Sequence, residues 1–370
     1  MEIDFNRIAV KIGSNVLTRR DGTLDVTRMS ALVDQIAELH KAGIEIILVS
    51  SGAVASGRSE VHPTKKLDSV DQRQLFSAVG QAKLINRYYE LFREHGIPVG
   101  QVLTMKENFS TRRHYLNQKN CMTVMLENGV IPIVNENDTI STEEFGIGDN
   151  DTLSAMVSGL VDADLLILLS DIDGLYTANP RTHADARIIP VVENIDKHIY
   201  DIAGDAGSSM GTGGMYTKIQ AAAIATAADV DMVIASGSED GIISRICAGE
   251  NVGTLFKAKE TPLPSKKRWL VSGSKSKGRL IVDQGCRDAI IGHGSSLLPV
   301  GITAVEGIFD EGEIVSVVYD GLTIAKGISN YSSVNINAIK GLQSADIPKV
   351  LGHNGIYEEV IHRDNLVAMY

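Results

Sequence analysis

Two lysines far apart in the chain, Lys11 and Lys218, sit where a protein would place cations for a phosphoryl group. Lys11 belongs to the run KIGSN, in which Gly13 and Ser14 follow a β-branched strand and can bring backbone N–H groups up to an anion. Taken alone, this is also what an ordinary strand-to-helix turn looks like. Lys218 has the stronger setting: GTGGMYTKIQAA (211–222) passes from dense glycine into a helical pattern, so flexible backbone, a helix N-terminus and a lysine coincide.

Three further polar segments follow apolar strands. SSGAVASG (50–57) leaves room for a ligand and offers the amides of Ser51, Gly52 and Ala53 at a helix start, although Gly and Ser punctuate most such turns. NENDTISTEEFGIGDND (135–151) is rich in carboxylates and has no basic residue. Its amides Asn135, Asn137 and Asn150, interleaved with acids after a buried strand, favour a polar-substrate or metal-phosphate site over simple solvation. The run DLLILLS ends in Ser170-Asp171 and leads into DGLYTANPR (173–181), where Tyr176 and Pro180 border an adenine or else belong to an Asx-type turn. No GxxxxGK(S/T) loop is present, and no GxGxxG follows the first strand, which disfavours the common nucleotide folds.

The elements that must position these residues repeat in a regular way. RIAVKI is followed by a helical pattern of Met29, Leu32, Val33, Ile36 and Leu39; Gly43, Gly96 and Gly129 then stop successive helices before the strands IEIILVS, IPVGQVL and VIPIVN. Near-continuous apolar strands alternating with helices predict a mostly parallel sheet covered on both faces, with ligands beyond the carboxyl ends of the strands. After Leu255 the chain becomes rich in proline and basic residues, and from Gly278 short strands separated by Gly, Asp and Asn turns predict a small β-rich unit. The expected division is a catalytic domain over 1–258, a linker over 259–275 and a second domain over 276–370.

Bulk properties narrow the function classes. With 35 Lys and Arg against 46 Asp and Glu among 370 residues, the net charge is −11, which repels polyanions. Cys121, Cys247 and Cys286 have neither metal spacing nor an even count, as in a reduced intracellular protein. No apolar run approaches the ~18 residues needed to span a bilayer. The expected location is therefore cytoplasmic, with no membrane partner.

Taken in order, VKIGSN, VSSGAVASG, VNENDTI, GDND, LLSDIDGLYTANPR and GTGGMYTKIQAA resemble the motif set of the glutamate 5-kinases in the amino-acid kinase family. The resemblance covers Arg7 to about Lys257, and the tail with RWL, GSSLLPVGI and HRD resembles the PUA domain appended to many bacterial members. It implies a three-layer αβα sandwich with a mostly parallel central sheet plus a small β-rich PUA domain. The implied activity is ATP-dependent phosphorylation of the side-chain carboxylate of L-glutamate, the first step of proline synthesis. By motif, Lys11 and Lys218 contact the ATP phosphates. Ser170, Asp171 and the stretch Thr212, Gly213, Gly214, Met215, Tyr216, Thr217 and Lys218 bind nucleotide. Ser51, Asp138 and Asn150 hold glutamate, and Asp151 is the acid that organises the two lysines. Mg²⁺ is expected to arrive on the nucleotide, with no dedicated protein ligand. L-Proline as inhibitor, a homotetramer and a functional link to glutamyl phosphate reductase are also implied. The chain departs from the usual pattern at Gly146, where relatives often carry a lysine, in a loop where glutamate and proline compete.

Residue chemistry fits this reaction independently. A glutamate side chain, with pKa ~4.3, is already ionised at neutral pH and can attack phosphorus without a general base. The nine histidines then need no catalytic role. Two alternatives remain at this stage: another family member acting on a different carboxylate or a carbamate, and an RNA-binding protein of the PUA type. Charge disfavours the second, because residues 276–354 carry six Lys or Arg against eight Asp or Glu.

Overall fold

The structure, a computed structural model, describes residues 5–105, 107–110, 112–140, 150–180, 182–183, 185–204, 214–258, 276–352 and 357–369. It divides into two compact units, Met1–Pro262 and Leu263–Tyr370. The expected linker, 259–275, lies outside the described residues.

In the first unit, the chain runs β1 (Arg7–Ile12), α1 (Ser14–Leu17), α2 (Val26–Lys41), β2 (Glu45–Ser50), α3 (Ala53–Arg58), α4 (Ser69–Glu94) and β3 (Val99–Thr104). It continues through α5 (Glu107–Ser110), α6 (Arg112–Glu127), β4 (Ile131–Glu136), α7 (Asn150–Leu160), β5 (Leu165–Ser170), β6 (Val191–Val192) and α8 (Lys197–Ala203). The last elements are α9 (Met215–Ala227), β7 (Asp231–Ser236), α10 (Ile242–Cys247) and β8 (Thr254–Phe256). The strands form one sheet in the order β3-β4-β2-β1-β5-β7-β8-β6. Its pairings are parallel except where β8 runs antiparallel to β7.

Alternation along β1 decides which side chains reach the site. Ile8, Val10 and Ile12 point into a core with Met29, Leu32 and Ile36 of α2, Leu84 and Tyr88 of α4 and Ile243 of α10. Because side chains alternate in a strand, Ala9 and Lys11 face the opposite side, where α7 and α9 pack against the sheet and against each other. The helix-stopping glycines Gly43, Gly96 and Gly129 have φ of +94°, +73° and +69°, the left-handed conformation expected just past a helix end.

The second unit is built on a five-stranded sheet, β10 (Ile302–Gly307), β9 (Gly278–Val282), β11 (Ile314–Tyr319), β12 (Leu322–Ile328) and β13 (Leu366–Ala368) in spatial order. Short helices over Gln284–His293 and Ser333–Ile339 help close a core around Leu280, Val317, Tyr331, Ile336 and Ile361. It is β-rich, as its turn-punctuated sequence predicts.

Candidate active site

The carboxyl ends of β1, β2, β4 and β5 surround a cavity of about 750 Å³. Among the described residues, the buried charged side chains are Lys11, Glu136, Asp151 and Lys218, and all four line this cavity. Burying an ion is costly unless it is paired. Here Asp151 pairs two lysines at once: one carboxylate oxygen meets Lys11 Nζ in a very short contact, and the other lies 2.8 Å from Lys218 Nζ.

Three elements make that meeting possible. Lys11 comes from the far end of β1 on the α7–α9 face. Asp151 stands in the first turn of α7, where the positive end of the helix dipole favours a carboxylate. Lys218 projects from the start of α9, whose N-cap is Gly214 with no side chain to satisfy the first amides. Gly13 lets the turn close on β5: its N–H donates to the Leu169 carbonyl at 3.0 Å, and a Cβ there would stand 3.2 Å from that oxygen. Burial alone would push the Asp151 carboxyl up, but the Lys11 and Lys218 ammonium groups outweigh it and hold the group below the usual carboxylate range. The trio carries one net positive charge, buried at the cavity wall.

Beside the trio, the Asp171 carboxylate accepts from Asn15 Nδ2 at 3.1 Å and Ser170 Oγ at 3.1 Å. Its desolvation raises its pKa, and these hydrogen bonds, with the Lys218 charge, bring it below the ordinary value.

The opposite wall combines amides with an arginine paired to two carboxylates. Asn150 Nδ2 donates to Ser51 Oγ at 2.8 Å and to Asn135 Oδ1 at 2.9 Å. Asp138 accepts from Arg73 Nε at 2.9 Å, and the same guanidinium reaches Glu136 at 3.4 Å. Ser51 precedes Gly52, which sits at φ +104° as the N-cap of α3. Helix α3 is drawn hard against α4: a Cβ on Gly57 would stand 1.8 Å from the Phe76 carbonyl oxygen, and one on Gly80 equally close to that of Ala53.

Of the residues expected at the site, the cavity gathers Lys11, Ser51, Asp138, Asn150, Asp151, Ser170, Asp171, Gly214 and Lys218. Met215, Tyr216 and Thr217 lie in the first turn of α9 without lining it; Thr217 Oγ1 donates to the Gly214 carbonyl, and the Tyr216 ring packs on Tyr200. Thr212, Gly213 and Gly146 lie outside the described residues. Tyr176 and Pro180 are not among the lining residues either, and the Tyr176 hydroxyl donates to Asp173 at 2.8 Å. Sequence reasoning missed Asn15, Arg58, Gln72 and Arg73, which also line the cavity. Arg58 follows Gly57 at the end of α3, and Arg73 lies in α4 two turns before Gly80. In sequence both arginines lie between Gly57 and Gly80, on a stretch that also carries Lys65 and Lys66, and nothing local marks them.

Comparison with known proteins places this geometry. The model of the amino acid kinase family matches residues 6–236, and that of the PUA domain matches residues 278–351. The chain belongs to the amino acid kinase family. Over nearly its whole length it is similar to glutamate 5-kinases. It is 55% identical over 346 residues to that of Bacteroides thetaiotaomicron, covering 92% of this chain and 96% of the relative. It is 48% identical over 364 residues to that of Caldanaerobacter subterraneus subsp. tengcongensis, covering 98% of each. With the Shewanella pealeana glutamate 5-kinase, identity is 43% over 369 residues, 100% of this chain and 99% of the relative.

Proposed function

We infer that this chain transfers the terminal phosphoryl group of ATP to the side-chain carboxylate of L-glutamate, giving L-glutamyl 5-phosphate, the entry reaction of proline biosynthesis. The observation that carries the reading is the buried Lys11–Asp151–Lys218 trio. Two cations held by one carboxylate at the strand ends fit the charge that develops on a transferring phosphoryl group, and they need no reorganisation when it develops. Lys11 and Lys218 hold the phosphates, with Asp151 keeping their ammonium groups aligned. Ser170, Asp171 and the stretch from Thr212 to Lys218 hold the nucleotide. Ser51, Asp138 and Asn150 hold glutamate, whose ionised carboxylate attacks without a base. Mg²⁺ adds charge neutralisation on the nucleotide phosphates, keeping most of its waters.

The same reading extends to regulation and context. We propose L-proline as a competitor for the glutamate pocket, with Gly146 setting the strength of inhibition. A homotetramer and a cytoplasmic location complete the assignment; no helix among the described residues is long and apolar enough to cross a membrane. The acyl phosphate product hydrolyses readily, which favours a functional link to a glutamyl phosphate reductase. The small C-terminal domain, starting near residue 276, modulates activity or assembly rather than binding nucleic acid, in keeping with its excess of acids.

The test is turnover with ATP and Mg²⁺ on glutamate, aspartate and carbamate, trapping the acyl phosphate with hydroxylamine. Glutamate alone should give abundant hydroxamate. Lys218→Ala should lower kcat by about 10²–10³ while the circular dichroism spectrum is retained, the range seen when one preorganised charge-stabilising group is removed. No hydroxamate from glutamate would end this reading.

A further inference from the structure

The turn that opens α3 holds a peptide able to stand either way up. Gly52 sits at φ +104° and, having no Cβ, takes a negative φ as readily, so the Ser51–Gly52 peptide can flip while its neighbours stay in place. A flip exchanges the two ends of that peptide, setting the Ser51 carbonyl oxygen where the Gly52 N–H stood. Both residues line the cavity, so the exchange matters to any anion held there. One side chain decides between the two states. The Ser50 hydroxyl, at the end of β2, donates to the Ser51 carbonyl at 3.1 Å, and no other donor reaches that oxygen among the described residues. The direction of this bond is settled from α4. Tyr88 Oη lies 2.8 Å from Ser50 Oγ, both residues are fully buried, and the phenol oxygen has no second hydrogen-bond partner among the described residues. Burial pushes the phenol above its ordinary pKa, so it keeps its proton. Were Ser50 the donor to Tyr88, that phenol proton would be stranded in the core; with Tyr88 as donor, the single Ser50 proton is free for Ser51. The N–H of Ser51 is tied to the sheet as well, donating to the Ile12 carbonyl at 3.1 Å.

We propose that Ser50 is a positioning residue: its hydroxyl locks the Ser51–Gly52 peptide with the carbonyl turned to the buried side, so that no carbonyl oxygen confronts the carboxylate substrate. The inference rests on the glutamate reading above and deepens it. A trans peptide is planar, so holding the carbonyl back also fixes the Gly52 N–H in the opposite direction. Ser50 itself touches no ligand, being fully buried and absent from the cavity lining. It acts on populations. The locked peptide is the binding-competent state, and any fraction that flips raises KM in proportion, whereas saturating glutamate draws the peptide back and leaves kcat near its value. Tyr88 fills a lone pair of the Ser50 oxygen but is not the lock, so the two residues can be separated by mutation.

Three variants distinguish the lock from the packing around it. Ser50→Ala removes the lock and strands the Tyr88 hydroxyl. Glutamate KM should rise about fivefold, the weight of one neutral hydrogen bond, with kcat and the KM for ATP within about twofold, and the denaturant midpoint should fall. Tyr88→Phe leaves the Ser50 proton on the Ser51 carbonyl, so glutamate KM should stay within about twofold of wild type. The double variant, Ser50→Ala with Tyr88→Phe, has no stranded hydroxyl; its midpoint should return close to that of Tyr88→Phe while its KM stays raised about fivefold. A merely structural role would move KM and midpoint together. A glutamate KM that recovers along with the midpoint in the double variant, or one unchanged in folded Ser50→Ala, overturns the proposal. If Ser50→Ala does not fold, the double variant measured against Tyr88→Phe carries the same expectation. Wild-type protein that does not phosphorylate glutamate would instead refute the functional reading, so the two failures are told apart.

Discussion

The two units of the chain bury different kinds of polar atom. Among the described residues of the second unit, the buried polar side chains are Ser316, Ser329 and Ser333, and each has its partner inside the unit. The Ser316 hydroxyl meets that of Ser276 at 2.6 Å, Ser329 donates to the Tyr331 carbonyl at 2.7 Å, and Ser333 accepts from the Phe309 N–H at 3.3 Å. The first unit buries two lysines and two acids, together with two amide oxygens and two hydroxyls that find no hydrogen-bond partner. Satisfied hydroxyls serve a fold and ask for nothing further. Buried charge costs stability that an apolar core of the same volume would not, so a folded protein retains it where a ligand makes use of it. The difference locates chemistry in the first unit without reference to any relative.

The largest effect that could break this contrast is expected at Asp151. Asp151→Asn leaves Lys11 and Lys218 buried without a counter-ion, which should cost about 3–5 kcal/mol, read as a drop in the denaturant midpoint of the ligand-free protein. ATP with Mg²⁺ should restore more stability to the variant than to the wild type, because phosphate replaces the missing negative charge. The acid side of the stability profile follows from the same pair of cations. Since the folded carboxyl is held below its ordinary value, its contribution is complete above the unfolded value of ~3.9 and is lost as the pH falls from there through the folded value. Asp151→Asn should flatten that limb. A variant as stable as wild type would mean that the buried charges carry no strain for a ligand to relieve.

How much of this could be read from the sequence depends on whether a residue's task leaves a local trace. Gly43, Gly96 and Gly129 do, because a left-handed turn after a helix demands a particular residue type; so does the alternation that puts Lys11 on the α7–α9 face. Each strand-end motif marks its own corner of the cavity. That Lys11, Asp151 and Lys218 converge on one point is a property of strand order, which brings β1 beside β5 and α7 onto α9, and no single segment records it. Arg58 and Arg73 were illegible for another reason. They stand in or at the end of helices, where a polar residue reads as a solvated face, and they reach the site only because Gly57 and Gly80 let α3 and α4 touch backbone to backbone.

That crossing offers a sharper version of the comparison. Gly80→Ala drives a Cβ to 1.8 Å from the Ala53 carbonyl, and Gly278→Ala in the second unit drives one to 2.3 Å from the Phe309 ring. Each should destabilise its own unit by about 1–3 kcal/mol, the usual cost of overpacking. Their effects on glutamate KM should differ. Gly80→Ala pushes α3 away and carries Ser51 with it, raising KM several-fold, on the order of 1 kcal/mol of lost binding. Gly278→Ala should leave KM where it was. Equal shifts in the two variants would show that KM follows overall stability rather than the placement of α3.

The smallest change in turnover is expected from the largest deletion. Among the described residues, those that line the cavity all lie at or before Lys218, and the first unit has a core of its own. A chain ended after residue 258 should therefore fold and phosphorylate glutamate with kcat within about threefold of the full-length value, as for domains that carry independent cores. Inhibition by proline and the oligomeric state, measured on the same truncated protein, would register what the second unit contributes. Cooperative unfolding of the truncated chain combined with loss of turnover would assign the second unit a part in the reaction. The contrast between satisfied serines and buried charge would then describe where the cavity is, but not everything that makes it work.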